Sequence, residues 1–108
     1  MPLHSRNKGA NGEREVRDIV RAHGFSADRD GRLDWDLRHD VPGVHLEVKR
    51  RETLAIPAWI RQAEEDAAKH VPPVEACVVF RQSHQPWRVV VSLDHYLKLQ
   101  RFYVDNHG

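Results

Sequence analysis

The sequence predicts a single α/β domain, a central mixed β-sheet flanked by helices in the order αβββαββα. Three observations carry that prediction. Apolar residues recur at helical spacing near the N-terminus, after Pro57 and after Ser92. Short apolar, β-branched runs lie between them at 44–49, 76–81 and 87–92, and Gly or Pro marks most of the boundaries. The chain has 108 residues with 40% hydrophobic content, which suffices for one modest core and leaves no room for a second domain.

Residues 1–7 read as a flexible basic arm, and the folded domain is expected over 8–108. Asn11 is suited to cap the first helix, in which Val16, Ile19, Val20 and His23 recur at core-facing spacing until Gly24 stops it. Glu13 then falls in the first turn, where the helix dipole tolerates a carboxylate. A short strand is expected near 26–29, followed by a loop around Gly31. Pro42-Gly43 suits a type II turn, so Asp36-Leu37-Arg38 is expected to run antiparallel beside the strand Val44-His45-Leu46-Glu47-Val48-Lys49.

After a polar connection over 50–56, Pro57 fits the first turn of a second helix that runs to about His70. Ile60, Ala63 and Ala67 form its buried stripe, with Trp59 and Gln62 on an adjacent one. Pro72-Pro73 breaks the chain before the strands at 76–81 and 87–92, which are joined by a turn over 82–86. Ser92 is placed to cap a last helix through about Tyr103, with Leu93, Tyr96, Leu97 and Phe102 on its apolar side.

Period-two geometry puts His45, Glu47 and Lys49 on one face of their strand and Val44, Leu46 and Val48 on the other. The expected hairpin brings Asp36 next to Glu47. Two converging carboxylates repel unless a cation sits between them, and an all-oxygen set suits Mg²⁺, with Mn²⁺ as a substitute. Lys49 could orient a water and offset charge building on a phosphate. Glu-x-Lys is a common triplet, however. On spacing alone, a strand face with a cross-strand ion pair accounts for it better.

Composition narrows the classes. No run approaches a membrane span and the N-terminus has no apolar signal core, so an intracellular chain without membrane contact is expected. The single cysteine, Cys77, lies in an apolar run and is expected to be a reduced packing residue. Eight histidines are scattered without an i, i+4 pair or a Cys-x-x-Cys partner, and no histidine-based zinc site is expected. Net charge is only +1, so DNA contact would depend on where the cations lie. Arg6, Lys8, Arg14 and Arg17 cluster near the first helix, and Arg50 and Arg51 follow the Glu47 strand. These two groups could flank a phosphate path.

The segment Lys8-Gly9-Ala10-Asn11-Gly12-Glu13-Arg14-Glu15-Val16 resembles the opening of the archaeal Holliday junction resolvases. Gly24-Phe25, Trp35-Asp36-Leu37, Leu46-Glu47-Val48-Lys49 and Trp87-Arg88-Val89 follow in that family's order, and the resemblance covers nearly the whole chain. It implies a restriction-endonuclease-like core and a nuclease of the Pro-Asp, Asp/Glu-x-Lys superfamily, in one nuclease domain over 8–108. Carried over, Glu13, Asp36 and Glu47 match the acidic metal positions, the Val48 carbonyl is a further ligand, and Lys49 matches the catalytic lysine. Asp34 is the rival for Asp36. Gln62 corresponds to a glutamine that approaches the metal in related nucleases.

Two departures stand out. Trp35 occupies a position where the superfamily often has Pro, and the loop Asp30-Gly31-Arg32-Leu33-Asp34 lacks the serine of the archaeal enzymes. The resemblance implies Mg²⁺-dependent cleavage of four-way DNA junctions by a C2 homodimer, with helix 57–70 and the last strands as interface candidates and no small-molecule cofactor. Left open are a related nuclease acting on flaps, nicks or duplex DNA, and a catalytically silent DNA-binding dimer.

Overall fold

The computed structural model describes residues 3–29 and 37–107, with side chains from Gly9 onward. Its elements are α1 (Leu3–Ala22), β1 (Ala27–Asp28), β2 (Arg38–His39), β3 (Val44–Arg50), α2 (Ile56–Ala68), β4 (Glu75–Arg81), β5 (Arg88–Val90) and α3 (Leu93–His107). The order αβββαββα is the expected one. The main sheet is mixed, in the order β3-β4-β5, with β3 and β4 parallel and β4 and β5 antiparallel.

Helices α1 and α2 cover opposite faces of this sheet. On one face Leu46 and Val48 of β3 and Cys77 and Val79 of β4 pack with Val16 of α1. On the other, Val78 packs with Trp59 and Ala63 of α2, flanked by Ala76 and Phe80. The parallel register pairs Leu46 with Cys77 and Glu47 with Val78, so each pair shares a face. Full burial of a side chain such as Val78 stabilises the fold by about 1.5–3 kcal/mol.

The helix α1 begins at Leu3, so residues 3–7, expected as an arm, are helical, and Asn11 and Glu13 lie in the interior of the helix instead of its first turn. Glycine has low helix propensity, but Gly12 has a packing role that outweighs it. A Cβ added there would stand 2.7 Å from Arg50 Cβ and 3.4 Å from the Trp87 ring. The absent side chain lets α1 lie against the end of β3. Arg81 fastens the same region, its Nη2 donating to both carboxylate oxygens of Glu15 at 3.0 and 3.2 Å while its guanidinium lies 5.5 Å from the centre of the Trp87 ring.

The hairpin expected between Asp36-Leu37-Arg38 and β3 does not form among the described residues. Arg38 and His39 pair antiparallel with Asp28 and Ala27. Ser26 extends that pairing, its N–H donating to Asp40 Oδ1 at 2.8 Å and its carbonyl accepting from the Asp40 N–H at 3.3 Å. The Pro42-Gly43 turn is present, with Gly43 at φ +74°, but the Gly43 carbonyl accepts from Glu75 N–H at 2.9 Å and so delivers the chain to β4.

Pro57 sits in the first turn of α2 as expected, and the buried stripe is Trp59, Ala63, Asp66 and Ala67, with Ile60 partly buried. Ser92 caps α3, its Oγ accepting from His95 N–H at 3.0 Å. This helix continues beyond the expected end at Tyr103 because its last turn is stitched at i, i+4. Arg101 pairs with Asp105 at 2.7 Å, Asn106 donates to the Phe102 carbonyl at 2.8 Å, and Tyr103 stacks on His107 at 4.5 Å. Its apolar side is exposed: Leu93 is 72% and Phe102 69% accessible.

Two measurements follow from this packing. Gly9 has open space around its would-be Cβ, so Gly9→Ala should gain up to about 1 kcal/mol from helix propensity. Gly12→Ala should lose about 1–2 kcal/mol net, because displacing a Cβ next to the β3 backbone costs more than propensity returns. Urea midpoints moving in opposite directions at unchanged slope would verify both. Burial pushes the Cys77 thiol up to about 11, so a disulfide reagent at pH 8 should react only at the rate of unfolding.

Candidate active site

Strand β3 builds the site. Its alternation turns Leu46 and Val48 into the α1 layer and His45, Glu47 and Lys49 toward α2. Glu47 is almost fully buried at 3% accessibility, and it is stabilised there by two neighbours from its own strand. The imidazole Nε2 of His45 donates to Glu47 Oε1 at 3.2 Å, and Lys49 Nζ stands 3.8 Å from Glu47 Oε2. Each carboxylate oxygen therefore faces a different partner, which offsets the cost of burying the charge.

A third buried group enters from α2. Asp66 Oδ2 lies 3.9 Å from His45 Nε2, while Asp66 Oδ1 accepts from Lys69 Nζ at 3.1 Å. One ligand atom from each of His45, Glu47 and Asp66 falls within 4.8 Å of the others. Among the described residues this is the group of three or more His, Cys, Asp or Glu side chains that converges closely enough for a metal ion.

Two further imidazoles stand nearby. The His70 ring centre is 5.6 Å from that of His45. Burial first, and then His45, holds the His70 imidazole below its ordinary value against the pull of Asp66. Burial likewise holds His39 low, helped by His45 and His70 and opposed by Asp40. His39 Nδ1 accepts from Val41 N–H at 3.1 Å, which requires that nitrogen to be unprotonated.

The other sequence-predicted residues fall into three groups. Asp34 and Asp36 lie outside the described residues, and so do the side chains of Arg6 and Lys8. Glu13 is half-buried on α1, where its Oε2 accepts from Arg29 at 2.8 Å, and it is not part of the His45 group. Gln62 is exposed, one helical turn before Asp66 on the same side of α2.

Of the expected DNA-facing cations, Arg50 requires a correction. Its guanidinium is buried, donating from Nη1 to Glu52 Oε1 at 2.7 Å and from Nη2 to Ser83 Oγ at 2.8 Å. Glu52 also accepts from Ser83 N–H and Oγ, so these residues lock the β4–β5 turn to the end of β3. This is an architectural role. Arg14 and Arg51 are exposed and Arg17 is half-buried, with Arg14 bonded to Asn11 and Arg17 to Asp18.

Sequence reasoning missed Asp66 and left His45 without a role. His45 carried a signal, since it shares the period-two face of Glu47 and Lys49. Asp66 carried a weaker one, lying between Ala63 and Ala67 on a helix side that is otherwise apolar.

No family model matches the sequence, and no curated protein matches it. Among solved structures, the chain is similar to Hjc of Archaeoglobus fulgidus, a Holliday junction resolvase from an archaeal hyperthermophile. The superposition has a TM-score of 0.58 at 24% sequence identity and covers 78% of this chain and 72% of that one. The helix-flanked mixed sheet described above is thus the fold of the Hjc nuclease.

Proposed function

We propose that this chain is a metal-dependent, structure-selective DNA endonuclease that resolves four-way junctions by paired phosphodiester hydrolysis. The observation that carries the reading is the Glu47–Lys49 pair, 3.8 Å apart on one face of β3, within a fold shared with a resolvase.

The donors fit a hard divalent cation such as Mg²⁺. Glu47 is a buried carboxylate, and with the Val48 carbonyl it offers oxygen from two successive residues of a rigid strand. Glu13, oriented by Arg29, and Asp36 complete the proposed ligand set. When bound, the cation lowers the pKa of a water and neutralises charge on the phosphate. Lys49 holds that water in line with the phosphorus and stabilises the charge that develops as the bond breaks. Arg6, Lys8, Arg14, Arg17 and Arg51 supply the phosphate track beside it.

A four-way junction has near two-fold symmetry, and paired cuts need two sites, so the working form is a C2 homodimer. The apolar face of α2 is consumed within the chain by β4. The exposed apolar residues of α3, Leu97 and Phe102 among them, are the surface from which such an interface is built.

Glu47→Gln, Asp36→Asn and Lys49→Ala should each lower Mg²⁺-dependent junction cleavage by about a hundredfold or more while leaving the circular dichroism spectrum unchanged. Matched junction, flap, single-strand and duplex substrates decide specificity. Symmetric paired nicks in the junction support the proposal, cutting of flaps or duplex replaces it with a general nuclease, and binding without cutting leaves a silent DNA-binding dimer. Sedimentation at micromolar concentration should give a dimer that Phe102→Asp converts to monomer; a monomeric parent protein would remove the paired-cut mechanism.

A further inference from the structure

The buried group behind β3 is not explained by an all-oxygen Mg²⁺ site. We propose that His45, Glu47 and Asp66 form a second binding site, sharing Glu47 with the oxygen-only one, for a divalent transition metal such as Zn²⁺.

Several features of the three side chains support this. All are nine-tenths or more buried, with accessibilities of 2, 3 and 7%, and they come from two different elements, β3 and α2. Donors bound to one tetrahedral ion at about 2.0–2.1 Å stand about 3.3 Å apart. The observed separations from His45 Nε2 are 3.2 Å to Glu47 Oε1 and 3.9 Å to Asp66 Oδ2. All three donor atoms lie within 4.8 Å of one another, so closing on an ion requires the carboxylates to draw inward. The ion would take the place of the Nε2 proton that now bridges to Glu47.

The outer partners are already arranged. Lys69 fixes Asp66 through Oδ1 and Lys49 faces Glu47 through Oε2, so the two oxygens turned toward the imidazole are Oδ2 and Oε1. The donor set is one nitrogen and two carboxylate oxygens. An imidazole favours Zn²⁺ over Mg²⁺, which prefers an octahedron of oxygens and its own waters. A cavity of about 240 Å³ lined by Leu37, His39, Gly43, His45, His70 and Val74 reaches His45 from outside.

This site rests on side-chain geometry and not on the nuclease reading; it shares Glu47 with the oxygen-only site and differs from it in His45, Asp66 and the metal. The metal-stripped protein should be titrated with Co²⁺ and followed by visible absorption, then back-titrated with Zn²⁺, with excess Mg²⁺ throughout. The expected result is one saturable equivalent of low-coordinate cobalt that Zn²⁺ displaces, together with a Zn²⁺-dependent rise in melting temperature.

Asp66→Asn and His45→Gln should each weaken the cobalt signal about tenfold or more, whereas Glu13→Gln should retain it. Metal-free melting curves of the variants establish that each is folded; if Asp66→Asn does not fold, His45→Gln decides. The absence of a saturable signal in the parent protein would overturn the proposal, as would a signal indifferent to both substitutions. Loss of the signal in Glu13→Gln would also overturn it, by assigning the ion to the oxygen-only site. Cleavage with Mg²⁺ is scored separately, so either reading can fail without the other.

Discussion

The parallel pairing of β3 with β4 over seven residues is the constraint on which the rest of the structure depends. It fixes which side chains look toward α1 and which toward α2, and it requires a crossover, which α2 provides. It also holds β3 at one edge of the three-stranded sheet, so that Glu47 and Lys49 project from a rigid strand and not from a loop. Core and candidate site are thus two faces of one seven-residue segment. A one-residue slip in register would exchange them completely.

That constraint explains why Glu47 can be charged and buried at once. A desolvated carboxylate is costly, and its neighbours are supplied by the same alternation that buries it, His45 two residues before and Lys49 two residues after. Asp66 joins from the helix that the crossover lays across this face. The result is a compact arrangement of opposite charges in which every carboxylate oxygen has an assigned neighbour.

Much of this was legible in the sequence because it is local. The alternation of β3, the positions of Pro57 and Ser92, and the apolar runs of β4 and β5 are nearest-neighbour signals, and the observed elements follow them. The parts that were not legible depend on distant partners. The need for glycine at position 12 comes from Arg50 pressing against it, and Arg50 reads as a phosphate contact until Glu52 and Ser83 are found to hold it. The partner of β2 was decided by Ser26 and Asp40, which bond across an interval of fourteen residues. Asp66 became visible only when α2 was laid over β3.

The single thiol has a practical consequence. A chain whose one sulfhydryl is sealed between sheet and helix offers no background to maleimide chemistry in the native state. A cysteine introduced at an exposed position such as Arg51 or Gln62 would carry a spin label or fluorophore alone. The motions of the β3 end and of α2 could then be followed without first removing a residue from the core.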